Sequence, residues 1–234
     1  MGTAYNTNVV TDGLISCWDA ANRRSYPGTG TTWTDIAGSN DGTLVNGPSF
    51  SSVDMGYIHF DSSDDQCRLT GAYDSFIDLG SSATIDFWYQ VYQANHGQLP
   101  LGRGDTHYLL YWDFSGSTVT VYIKNSANSH ASMGSFNISD YFQANNAGND
   151  VWHHFAVTQD GGTALKIYFD GELKATNSIS SGNFTFNTIS GKWASGGGVT
   201  FEWKSFMALL HAYNRTLSGD EIKQNYNATK GRFT

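Results

Sequence analysis

The sequence predicts an all-β protein: two packed antiparallel sheets in a jelly-roll sandwich, with one short C-terminal helix. Three observations carry that expectation. Residues 151–176 alternate inward and outward side chains with a period of two, in arms separated by Asp160-Gly161-Gly162 and Asp170-Gly171. This is the pattern of half-buried strands joined by tight hairpin turns. Aromatic residues make up 15% of the chain, and 26 Gly stand against 3 Pro, which suits short strands linked by Gly, Ser and Asn turns. Helix start signals converge at one place, near the C-terminus.

Taken in order, residues 1–11 read as a polar N-terminal arm that orders when something binds it, and residues 12–234 as a single sandwich domain, a size common for all-β units. Residues 13–19 form a first strand, and residues 20–48 a turn-rich excursion punctuated by Tyr26-Pro27-Gly28 and Asn40-Asp41-Gly42. Strands at 57–60 and 66–70 flank an acidic loop. Residues 84–92 put Ile85, Phe87, Tyr89 and Val91 on one face, read as core, and Asp86, Trp88, Gln90 and Tyr92 on the other. A hairpin follows, 107–114 and 118–124, around Ser115-Gly116-Ser117. Residues 125–150 read as loops with one weak strand at 136–138. Beyond the central hairpins come strands at 184–189, 199–203 and 206–213, the last apolar on both faces and so expected to be covered on both. Ser218 with Glu221 forms a capping box and Leu217 with Ile222 a hydrophobic staple, which start a helix running from Gly219 to about Tyr226.

Several segments carry a resemblance. Trp152 opening a strand, the turn ending in Tyr168-Phe-Asp-Gly-Glu-Leu173, the later Tyr213-Asn-Arg-x-Leu-Ser-x-x-Glu-Ile222 and the segment SYPGTGTTWTDIAGSNDGTLVNGPSF together resemble laminin G-like, concanavalin A-like jelly-roll domains. The resemblance spans about residues 12–233 and implies a fold and a habit of binding, not a reaction. Ser62 stands where the family pattern has Gly.

Composition narrows the partners. The net charge is -8 with only 15% charged residues, and no Lys or Arg run interrupts that balance, so neither nucleic acid nor an anionic membrane surface is an expected partner. The stretch MGTAYNTNVVTDG lacks the basic and apolar regions of a signal peptide. Cys17 and Cys67 each fall inside a strand and match neither a redox nor a zinc motif. They read as buried free thiols, with a single bridge as the alternative.

No catalytic constellation emerges. A retaining glycosidase needs two carboxylates roughly 5 Å apart, and the three Glu, Glu172, Glu202 and Glu221, fall in a turn, alone in a strand and in the capping box. Asp170 and Glu172 span a hairpin turn. Neither Cys is expected to neighbour a likely base, and there is no Gly-x-Ser-x-Gly elbow. His153 and His154 point to opposite faces of a strand and cannot chelate one ion. Arg103-Gly104-Asp105 reads as turn geometry. No enzyme is expected.

Two binding features remain. Asp61, Asp64 and Asp65 offer the hard oxygens calcium prefers; the competing reading is that they cap their own loop through Asx turns. Asp86, Trp88, Gln90 and Tyr92, extended by Tyr111, Asp113 and Tyr122, would form an aromatic and polar stripe suited to a glycan, unless the loops at 125–150 cover it. Stand-alone chains with the Ser-Tyr-Pro-Gly-x-Gly-x-x-Trp and Tyr-Asn-x-x-Leu-Ser segments resemble bacteriophage structural proteins. The resulting expectation is a non-enzymatic virion component, a capsid decoration or tail-associated protein whose partners are other virion proteins and host-surface glycans, with homo-oligomers among the expected assemblies. The alternative is a free or secreted lectin that uses calcium.

Overall fold

The computed structural model of the 234-residue chain describes residues 8–61, 63–91, 97–104, 107–142, 151–195, 199–200 and 203–233. From the N-terminus come β1 (Leu14–Asp19), β2 (Thr32–Trp33), β3 (Gly42–Val45), β4 (Ser49–Ser51), β5 (Tyr57–Asp61), β6 (Gln66–Arg68) and β7 (Ile77–Asp78). The middle of the chain supplies β8 (Ala83–Val91), β9 (Gly97–Arg103), β10 (His107–Ser115), β11 (Thr118–Lys124), β12 (His130–Asn137) and one helical turn, α1 (Ile138–Tyr141). The last part gives β13 (His153–Asp160), β14 (Ala164–Phe169), β15 (Glu172–Ser178), β16 (Thr185–Phe186), β17 (Thr188–Ile189), β18 (Lys192–Trp193), β19 (Val199–Thr200), β20 (Lys204–Tyr213) and α2 (Gly219–Thr229).

Two antiparallel sheets form the sandwich. The back sheet runs β15-β14-β13-β8-β20-β5-β4, with β1 also on β20, and the front sheet runs β12-β11-β10-β9-β17-β6-β3-β2. The expected core face of β8 is core: Ile85, Phe87, Tyr89 and Val91 are at most 1% exposed. Phe87 lies 5.3 Å from Phe155 in its own sheet and 6.2 Å from Trp112 in the other, ring centre to ring centre. Asp170 (φ 52) and Gly171 (φ 74) make the positive-φ hairpin turn that their sequence predicts.

Short strands β2, β3, β4 and β7 are not in the sequence reading, the expected 184–189 strand is divided between two sheets as β16 and β17, and two longer front-sheet strands also differ from it. The segment Gly97–Arg103 is punctuated by Gly97, Pro100 and Gly102, yet it forms an inner strand between β10 and β17. Pro100, which lacks an N–H, falls where the β9–β10 register shifts, the position at which a ladder tolerates it. β12 is eight residues long, not a fragment at 136–138. Its inward side is carried by Ala131, Met133 and, partly buried, Phe136, with Ser132, Gly134 and Ser135 between them, so the apolar alternation is weak in sequence.

α2 starts as its sequence predicts. The Ser218 side chain accepts from the Glu221 amide at 3.3 Å, and the Ser218 amide donates to Glu221 at 2.8 Å. Hydrogen bonds from Arg215 at 3.1 and 2.6 Å pull the Glu221 carboxyl down to about 2. The helix continues to Thr229 and lies across the outer face of the back sheet. Residues 8–10 of the expected free arm are docked there too: Gln224 donates to the Asn8 carbonyl at 2.7 Å, and the Val10 amide donates to Asn225 at 2.9 Å. Residues 1–7 lie outside the described residues.

The interface under α2 has an apolar and a polar half. Trp88 stacks on Tyr226 and Phe233, with ring centres 5.6 and 4.4 Å away, and its indole N–H donates to Thr229 at 2.7 Å. Beside it, Asp86 is 1% exposed and faces three groups. His211 Nδ1 is 2.8 Å from one carboxylate oxygen, His154 Nε2 is 3.4 Å from the same oxygen, and Asn225 donates to the other at 2.7 Å. Burial alone would raise the Asp86 carboxyl, but the His211 charge and hydrogen bond, with His154 close by, outweigh it and hold it below the usual range. Burial would likewise lower His211; its attraction and hydrogen bond to Asp86, with a smaller contribution from Cys17, carry it to about 10. Among the described residues no helix is long and apolar enough to cross a membrane.

Removing the Trp88 ring leaves a void between sheet and helix, so Trp88→Ala is expected to lose about 3–5 kcal/mol of unfolding free energy in urea titrations. His211 has a raised folded pKa, so its contribution is complete below pH 6.5 and disappears as pH climbs through about 10. Wild-type stability should therefore fall across that window, and His211→Gln, less stable overall, should show a flatter profile in the same denaturation series.

Candidate functional site

α2 lies against the back sheet, and among the described residues Tyr108, Tyr111, Asp113 and Tyr122 keep partial exposure on the outer side of the front sheet. In β10 and β11, Leu110, Trp112, Phe114, Val119, Val121 and Ile123 turn inward and are buried. Alternation then sends Tyr111, Asp113, Thr120 and Tyr122 outward, and Tyr111 pairs directly with Tyr122 across the two strands. The register shift between Tyr108 and Leu110 brings Tyr108 onto this side. Ring centres of Tyr108 and Tyr111 are 5.3 Å apart, and those of Tyr111 and Tyr122 are 5.9 Å apart. Lys124 Nζ sits 5.6 Å from the centre of Tyr108. The three rings, each half-buried, form a continuous stripe.

Local chemistry fixes that stripe. Gly97 lies beside β10, and a Cβ there would collide with the Tyr111 hydroxyl, so the ring can lie across β9 only because position 97 is Gly. The Tyr111 phenol is raised above its ordinary value by burial, by the nearby Asp113 charge and by its hydrogen bond to that carboxylate; Tyr108 is raised by burial and by Tyr122. Both therefore stay protonated at neutral pH, and the Tyr111 O–H is held by Asp113.

Beside Tyr108 the row across the sheet is covered: Gly102 and Thr188 are buried, and the Thr188 hydroxyl donates to the Gly191 carbonyl at 2.9 Å. Tyr108 pairs with Gly102, Gly102 with Thr188, and Thr188 with Arg68. At the end of that row the Arg68 guanidinium lies 4.4 Å over the Trp193 ring, and Arg103 lies 4.5 Å over Phe76. A cavity of about 330 Å³ opens nearby between Tyr73, Gly104, Lys192, Ala194 and Ser195. Flat rings, protonated phenols and cationic edges on one surface can stack the apolar face of a sugar and hydrogen-bond its hydroxyls.

The expected seven-residue stripe is divided by the fold. Asp86, Trp88 and Gln90 are 1–2% exposed and lie in the back sheet, with Asp86 and Trp88 directly against α2. Their expected exposure is corrected: the outward side of β8 is a buried interface. Tyr111, Asp113 and Tyr122 are brought together, but in the other sheet, because the chain changes layer between β8 and β9. Tyr92 lies outside the described residues. Tyr108, Lys124, Arg68 and Trp193 were not anticipated. A lysine closing the Thr118–Lys124 strand and an aromatic three residues before Tyr111 were the available signals, and both depend on a register shift that sequence does not display.

In the acidic loop the side chains serve the turn. Asp65 accepts from the Asp61 amide at 3.0 Å and Asp61 from the Ser63 amide at 2.8 Å, while the Asp64 carbonyl accepts from Asn46 at 2.9 Å. Burial, against the pull of the Asp61 amide, raises Asp65 to about 6. Among the described residues no group of three or more His, Cys, Asp or Glu is placed to hold a metal ion. Asp170 joins His153 at 2.9 Å and accepts from the His154 amide at 2.9 Å, and Glu172 pairs with Lys174 at 2.8 Å, so this carboxylate pair is turn chemistry. Gly104 of the Arg-Gly-Asp segment donates its amide to Asn187 at 3.1 Å; Asp105 and Glu202 lie outside the described residues.

Both cysteines are buried and free. Cys67 is in the core, where burial pushes its thiol up. Cys17 does have a base beside it in space: it pairs with His211, which pairs with Asp86, in one row across β1, β20 and β8. The row resembles a nucleophile, base and orienter, but the three residues are 8, 3 and 1% exposed and α2 packs against them.

Comparisons with known proteins agree on the fold. A solved botulinum neurotoxin serotype D binding domain superposes on 95% of this chain and 53% of its own, with 13% identity and a TM-score of 0.65. The serotype D ligand binding domain in complex with N-acetylneuraminic acid gives 94% and 52% coverage, 11% identity and a TM-score of 0.62. A Trypanosoma rangeli sialidase mutant displaying trans-sialidase activity gives 97% and 34%, 14% identity and a TM-score of 0.64. The chain thus spans about half the length of the neurotoxin domains and about a third of the sialidase. A search of curated proteins finds no match. A profile of the concanavalin A-like lectin/glucanases superfamily matches residues 61–223, well over half of the 234 residues, and the chain belongs to that superfamily.

Proposed function

We propose that the protein is a non-catalytic carbohydrate-binding module whose contact surface is the outer face of the front sheet. The observation that carries this reading is the stripe of Tyr108, Tyr111 and Tyr122 with Asp113 and Lys124 at its margins. Neighbours of the same fold that bind receptors, one of them solved with N-acetylneuraminic acid, support a glycan as the ligand class. A non-catalytic role fits the burial of Cys17, His211 and Asp86 and the use of Asp170 and Glu172 in a turn. No cofactor is required by this surface; calcium dependence is a separate proposal that the binding assay tests directly.

A virion setting is the finer proposal: a capsid decoration or tail-associated protein that presents this surface to host glycans. Its support is the sequence resemblance of the Ser25-Tyr-Pro-Gly and Tyr213-Asn-Arg-Thr-Leu-Ser segments. Retention of the chain on purified particles is the expected result, and its absence from them would favour the free lectin.

A glycan array probed with and without calcium tests the platform. Tyr111→Ala and Tyr122→Ala should each weaken captured-glycan affinity about tenfold or more, equivalent to about 1.4 kcal/mol, with thermal stability close to wild type. Gly97→Ala should weaken the same glycans by displacing Tyr111. Binding that survives all three substitutions would remove this surface from the function.

A further inference from the structure

The segment after β1 also shapes a cavity that the front-sheet platform leaves unused. Residues 20–28 and the chain leaving β4 enclose about 210 Å³, lined by Arg23, Tyr26, Pro27, Gly28, Phe50 and Ser52. Its walls are fixed by local hydrogen bonds. The Ala21 amide donates to Asp19 at 3.0 Å, the Arg24 amide to Asn22 at 3.0 Å, Ser25 Oγ to the Thr34 carbonyl at 2.6 Å, and the Tyr26 hydroxyl to the Gly30 carbonyl at 2.8 Å. Tyr26, 4% exposed, backs the half-buried Phe50 ring at 5.3 Å between centres. Gly28 has φ +96, and a Cβ there would stand 3.5 Å from Phe50 Cε1. A larger residue at 28 would cover the ring edge; glycine leaves it open.

At the mouth stands Arg23, an exposed side chain. Its guanidinium has no hydrogen bond or ion pair among the described residues. An uncompensated guanidinium on a chain of net charge -8 is a local attraction for an anion against the field of the rest. The volume is below the roughly 300 Å³ at which drug-sized pockets begin, so it accommodates one ring and not an oligosaccharide. A guanidinium fork matches a planar carboxylate, and the uncovered part of the Phe50 ring offers apolar contact to the C–H groups of a pyranose.

We propose that this cavity binds a carboxylate-bearing sugar unit of the uronic acid type, with Arg23 holding the carboxylate and Phe50 packing on the ring. A neutral sugar would leave Arg23 without a partner, and a small anion would leave the Phe50 edge wet. The site is separate from the tyrosine stripe: β4 and β5 belong to the back sheet, the stripe to the front sheet.

The test is a titration followed by ¹H–¹⁵N amide shifts, using methyl glucuronide, methyl glucoside and acetate as probes on the full chain. Methyl glucuronide should move the Ala21, Gly28 and Ser52 amides. Arg23→Gln, a surface change that leaves the fold intact, should weaken that binding at least tenfold, and Tyr122→Ala should leave it unchanged. Glucoside and acetate should each bind at least tenfold more weakly. Absence of shifts at these amides, equal binding of glucoside or acetate, or insensitivity to Arg23→Gln would each overturn the proposal, and none of these outcomes bears on the tyrosine platform.

Discussion

Asp86 is a carboxylate at the centre of a sheet face, 1% exposed, and a charge so placed is tolerated only when it is paired and hydrogen-bonded. His211 and His154 answer it from the neighbouring strands, and Asn225 answers it from α2. The helix is therefore required by the sheet as much as supported by it. Asn225 also donates to the Tyr213 hydroxyl at 2.9 Å and accepts from the Val10 amide, so the same side chain ties β20 and the N-terminal residues to the helix. Trp88 adds the apolar half of that interface through Tyr226 and Phe233.

That interface bears on which side of the sandwich is proposed as the recognition surface. α2 covers the back sheet, and the proposed ligand surface therefore falls among the outward residues of β10 and β11, which are partly exposed. It also turns a row of Cys17, His211 and Asp86, whose chemistry would otherwise invite a nucleophilic reading, into part of a packed layer.

The proposed recognition surface depends on small residues and on departures from regular pairing. Gly97 makes room for Tyr111, and the shifted β9–β10 register carries Tyr108 to the side occupied by Tyr111 and Tyr122. Cationic groups at Lys124 and Arg68 lie over aromatic rings, which places positive charge at the margins of an otherwise acidic chain. Specificity on such a surface comes from the positions of a few polar groups around flat rings.

Period-two alternation determined β8, β10, β11, β13 and β14 and the inward set Ile85, Phe87, Tyr89 and Val91, because which side chains share a face is a local property of an extended chain. Turn and cap chemistry likewise determined the Asp170-Gly171 hairpin and the start of α2 at Ser218. What alternation could not determine is what lies opposite each face. Asp86, Trp88 and Gln90 have the composition of a binding stripe, yet all three are interior, Asp86 and Trp88 through the packing of α2 from more than a hundred positions away. Tyr111, Asp113 and Tyr122 were legible as outward residues, but their separation from Trp88 into another sheet follows from a layer change that local sequence does not encode. Pairing partners, register shifts and the covering of one face by a distant helix are long-range contacts, and the tertiary structure alone decided them.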